Sequence, residues 1–122
     1  MAKTQNPKKY DLEDRTFKFA KEVIKFSKLI PQNIPNIEII KQVVRSSGSV
    51  GANYIEANES LGRKDFVMRI KICRKESKET IYWLRLLETK NNEDEDKRQS
   101  LVQEANELMK IFGAIYEKTK EV

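Results

Sequence analysis

From Arg63 to Lys90 the chain runs without a proline or a glycine, and Phe66, Ile70, Cys73, Ser77, Thr80, Leu84 and Leu87 recur at alternating steps of four and three. That spacing keeps small and apolar side chains on one face of a 3.6-residue winding, and no strand alternates that way. It predicts a long amphipathic helix that must bury its face against other helices.

The rest of the chain repeats the pattern. Leu12, Thr16, Phe19, Val23, Phe26 and Ile30 step by four and three, with Phe17, Ala20 and Ile24 widening the stripe, until Pro31 stops it. Asp11 reads as the N-cap, with Asp14 three residues on, and residues 1–10 read as a mobile polar arm. The second stripe is Ile37, Ile40, Val44, Ser47, Gly51, Tyr54, Asn58 and Leu61, starting near Pro35 or Asn36 and broken by Gly62. Its middle is unusually small, from Ser46 to Ala52, which predicts close approach by another helix. The fourth stripe is Leu101, Ala105, Leu108, Phe112 and Ile115, with Val102, Met109 and Tyr116 beside it, and Asn92 and Glu95 form a capping-box-like pair at its start. The expected helices are therefore 11–30, 36–61, 63–90 and 93–119. With short loops between them they make an all-α, up-down-up-down antiparallel four-helix bundle over residues 11–120.

Composition narrows the chemistry more than the fold. The 122 residues include no histidine and a single cysteine, Cys73. Histidine-based acid–base and triad catalysis are thereby excluded, as are imidazole metal sites and internal disulfides. Cys73 lies on the core stripe, where a small hydrophobic thiol is inert. The pairs Glu56/Glu59 and Glu76/Glu79 lack the Glu-x-x-His partners of a bundle di-metal site. Gly48-Ser49-Val50-Gly51 matches a GxxG tetrapeptide but has neither the strands of a KH domain nor the lysine of a P-loop, so it reads as helix packing. No cofactor or metal is expected, and no catalysis. No apolar run reaches membrane-spanning length and the start is no secretory signal, so the expectation is a cytoplasmic protein without a membrane partner.

Charge is concentrated in one part of the chain. Of 24 Lys and Arg, nine fall in residues 61–90, against four Asp and Glu there. At ~100° per residue, Lys64, Lys71, Arg74, Lys75, Lys78 and Arg85 share a sector of the third helix about 100° wide and ~30 Å long, opposite the apolar stripe and free of acids. Such a stripe can follow the phosphates of RNA or DNA without reading sequence. The alternative is a merely solvated face, although solubilising faces usually interleave both signs. Another sector of the same helix holds Ile72, Glu76, Glu79, Trp83 and Leu86, an aromatic among acids, which suggests a subunit interface. On the second helix, Arg45 and Glu56 are placed to pair across to Arg69, Glu76 and Glu79.

The segment Gln42 to Ala57, above all Arg45-Ser46-Ser47-Gly48-Ser49-Val50-Gly51-Ala52-Asn53-Tyr54-Ile55-Glu56-Ala57, together with Lys64-Asp65-Phe66 and Lys75 to Leu87, resembles the bacterial four-helix-bundle proteins encoded in intervening sequences of 23S ribosomal RNA genes. The resemblance runs from about residue 10 to 118, and the accessory variability determinant of diversity-generating retroelements is similar in fold. It implies a helical bundle, a ring-shaped homo-oligomer, typically a pentamer, and a basic surface that engages nucleic acid or a nucleic-acid enzyme. Relatives tend to open the third helix on a serine cap; Gly62 stands there in this chain. The functional expectation is a non-enzymatic nucleic-acid binder using the third-helix stripe, the alternative being an oligomeric adaptor that works through protein contacts.

Overall fold

The computed structural model describes the backbone of residues 7–121 and the side chains of residues 11–121. It contains α1 (Pro7–Leu29), α2 (Ile34–Asn58), α3 (Arg63–Leu86) and α4 (Asn92–Thr119), and no strand among the described residues. Each helix packs against its neighbours in chain order and α1 closes on α4, while Tyr54 of α2 meets Phe112 of α4 across the core with ring centroids 5.5 Å apart, so the four form the expected bundle.

Residues 1–6 of the expected arm lie outside the described residues. Helix α1 begins at Pro7, not at Asp11. A proline fits the first helical turn because its missing N–H would have no intrahelical partner there. All six residues of the α1 stripe are buried, with Val23 fully so. The widening does not hold, since Phe17 and Ile24 are exposed. After Leu29 the amide of Gln32 donates to the carbonyls of Ser27 and Ile30, taking over acceptors that the ended helix leaves open.

The α2 stripe is rotated from its expected setting. Val43, Val50 and Ala57 are buried, each one residue before the expected Val44, Gly51 and Asn58. Ser47 and Tyr54 are buried as expected, whereas Ile37 and Leu61 are exposed. Helix α2 must serve both α1 and α3, and its many small residues let it turn toward both. Two buried hydroxyls meet at the α3 side, where Thr80 Oγ1 lies 2.8 Å from Ser46 Oγ. On the α1 side a Cβ added to Gly51 would sit 2.9 Å from Thr16 Oγ1, so glycine is what permits that approach. Gly48 has open space around it and permits none.

Helix α3 keeps its stripe, with Ile70, Cys73, Ser77, Thr80 and Leu84 all fully buried. It ends at Leu86, four residues short of the expected Lys90. Remote side chains take over its terminal backbone groups. Buried Asn36 accepts from the Glu88 N–H and donates to the carbonyls of Glu88 and Pro31, each at 2.9 Å. The Arg98 guanidinium donates to the carbonyls of Leu84, Arg85 and Leu87. Helix α4 is capped by Asn91, whose Oδ1 accepts from the Asp94 N–H at 2.8 Å, one residue earlier than the expected pair. Glu95 turns instead to Arg98, Gln99 and Thr89, and the Arg98 hydrogen bonds bring its carboxyl down to about 2. Glu93, Asp94 and Glu95 complement the helix dipole in that first turn.

Candidate nucleic-acid interface

Lys64, Lys71, Arg74, Lys75, Lys78 and Arg85 are all exposed, because the buried stripe on the opposite side of α3 points them outward. None has a carboxylate of the described residues within 4.0 Å. Helix α4 extends this basic surface in a way that the α3 pattern alone does not reveal. A shallow groove of about 600 Å³ is lined by Lys71, Arg74, Lys75 and Lys78 of α3 and Lys110 of α4, over a floor of Met68, Ile72, Met109 and Gly113. A Cβ at Gly113 would lie 3.6 Å from Arg74 Nε, ordinary van der Waals contact, so the Arg74 side chain rests against α4 there whether or not the residue is glycine. A second groove of about 420 Å³ shares Met68 and Lys71 with the first and adds Arg63, Lys64, Tyr116 and Lys120. The ammonium groups of Lys71 and Lys120 lie 5.7 and 5.5 Å from the centre of the Tyr116 ring, within cation–π range. One acid borders the surface: Glu117 pairs with Lys120 at 2.8 Å, and that hydrogen bond holds its carboxyl below the usual range.

Tyr82 also belongs to this face. By the same ~100° winding it falls inside the sector of the six cations, and its side chain is exposed. The winding that identified the lysines could have identified it.

The five residues expected at a subunit interface are not gathered into one exposed patch. Glu76 is buried and Glu79 half-buried, and both accept from Arg45 of α2. Trp83 is half-buried against the core and its Nε1 donates to Glu79 Oε1 at 3.4 Å. Ile72 lines the groove, and of the five only Leu86 is exposed. Arg45 therefore pairs across the α2–α3 seam as its spacing suggested. Glu56 makes no such pair, and Arg69 donates to Asn53 Oδ1 at 2.9 Å.

The remaining chemistry is quiet. Cys73 is fully buried against Val50, and burial pushes its thiol up to about 12, which keeps it protonated and unreactive. Among the described residues no three His, Cys, Asp or Glu side chains are grouped to hold a metal. None of the described helices is long and apolar enough to cross a membrane. The N-cap of α3 is Gly62, which offers no side-chain cap, as expected from the missing serine.

Comparison with known proteins places this architecture. No curated protein matches the chain. A crystal structure at 1.70 Å of a protein with unknown function from the S23 ribosomal protein family of Bacteroides thetaiotaomicron VPI-5482 is similar at 30% identity and a TM-score of 0.78, covering 90% of this chain and 98% of that one. The family model described as 23S rRNA-intervening sequence protein matches residues 8–114, nearly the whole bundle. This four-helix chain belongs to the 23S rRNA-intervening sequence protein family.

Proposed function

We propose that the chain is a non-enzymatic nucleic-acid-binding protein that grips the phosphate backbone with the outward face of α3. The observation that carries this reading is the row of six exposed cations with no carboxylate of the described residues within 4.0 Å, joined by Lys110 and by Lys120, which pairs with Glu117, on α4. Unneutralised cations in a row along a rigid helix suit a polyanion, and binding releases the counterions condensed on it. Reversing Lys71, Lys75 and Lys78 to glutamate should abolish binding to unrelated RNA and DNA sequences in fluorescence anisotropy. Wild-type affinity should fall steeply with salt. The matching reversal of Lys21, Lys25 and Lys28 on α1 should cost far less. Equal losses from the two triples would reduce the stripe to general positive charge.

A second reading, an oligomeric adaptor, is favoured by Phe17 and Ile24, which stand exposed one heptad apart on α1. The two readings are compatible, since a ring of copies would repeat the stripe and add weak contacts together. Light scattering should then report several times 14.3 kDa. A monomer at tens of micromolar would remove the oligomer.

A further inference from the structure

Phosphate contacts alone do not distinguish a duplex from a single strand, but one side chain on this face can. Tyr82 follows Lys78 by four residues and precedes Arg85 by three, so the three share one side of the helix. Its side chain is 60% exposed although the ring is large and apolar. Phe19, Phe26, Tyr54 and Phe112 are all committed to the core. Tyr116 and Phe17 already carry lysine ammonium groups over their rings, whereas Tyr82 carries none among the described residues.

The Tyr82 ring is also braced. It meets Trp83 edge to face, with centroids 5.1 Å apart and planes at 73°. Trp83 is in turn held by its packing on the core and its hydrogen bond to Glu79. Glu79 is held by Arg45. A ring fixed in this way loses little freedom when a flat partner lands on it.

We infer that Tyr82 is a base-stacking platform within the cation row, and that the ligand is single-stranded nucleic acid. The inference rests on the nucleic-acid reading above and deepens it. An unpaired base laid on Tyr82 brings its flanking phosphates toward Lys75, Lys78 and Arg85. The bases of a duplex are stacked on one another and cannot reach the ring, so only a single strand gains from it.

The test compares a labelled mixed-sequence RNA of about 15 nucleotides with the duplex it forms with its complement, a length suited to one binding surface. Anisotropy titrations at several salt concentrations would use wild type, Tyr82→Ala and Tyr82→Phe. Wild type should prefer the single strand. Tyr82→Ala should weaken single-strand binding by about 5- to 150-fold, the equivalent of one lost stacked base, and leave duplex binding unchanged. Its salt slope should also stay unchanged, because the phosphates neutralised are the same. Tyr82→Phe should retain wild-type affinity, and the exposed position should leave the helical circular dichroism intact. Salt-dependent binding that ignores Tyr82→Ala, or that loses equally on strand and duplex, overturns the platform while the phosphate reading stands. Absence of any salt-dependent binding by wild type overturns both.

Discussion

Helix α3 carries charge on two flanks, and the two are treated in opposite ways. On the flank facing α2, Arg69 donates to Asn53, and Glu76 and Glu79 accept from Arg45. Next to the Arg45 contacts, Thr80 and Ser46 join their hydroxyls. On the outward flank six cations project with no carboxylate of the described residues within 4.0 Å. Residue type does not separate the two sets, since arginine occurs in both. The difference lies in what stands opposite: α2 supplies complementary groups, whereas the outward flank meets solvent and an edge of α4 that adds Lys110 and the Tyr116 ring. Charges of the first kind help set how α2 and α3 register, while those of the second kind remain available to a partner.

That contrast can be broken or sharpened by stability measurements in denaturant. Leu84 lies between the flanks, fully buried, and Leu84→Ala should cost about 2–5 kcal/mol. A cost below about half a unit would place the core elsewhere and dissolve the distinction. Arg45→Ala should cost about 1–3 kcal/mol, since it strips the guanidinium from a Glu76 side chain that is only 11% exposed. Combining it with Glu76→Gln should recover part of that loss in a double-mutant cycle. Additive losses would mean the two side chains touch without mutual dependence. Smallest of all should be the effect of the Lys71, Lys75 and Lys78 reversals on folding, under about 0.5 kcal/mol each. A loss comparable with that of Arg45→Ala would make the stripe a structural feature, and the two flanks would then be alike.

Sequence alone determined that there are four helices and which face of α1 and of α3 turns inward, because both stripes keep the four-three spacing over their whole length. It also placed the six cations, since a residue's angle about its own helix follows from winding. On α2 the same reasoning chose a face rotated by part of a turn, as small residues at Ser46, Ser47, Gly48 and Gly51 give weak apolar contrast on any side. Those two glycines look alike in sequence, yet only Gly51 faces Thr16. The end of α3 at Leu86 was equally hidden, because Asn36 and Arg98, which capture its last groups, lie far away along the chain. Tertiary structure alone decided that α4 lends Lys110, Tyr116 and Lys120 to the basic face, that Arg45 occupies Glu76 and Glu79, and that Tyr82 stays open while Tyr116 is covered by lysines. Winding is local and fixes the direction of each side chain about its helix axis, whereas what meets a side chain in that direction depends on which helix packs there.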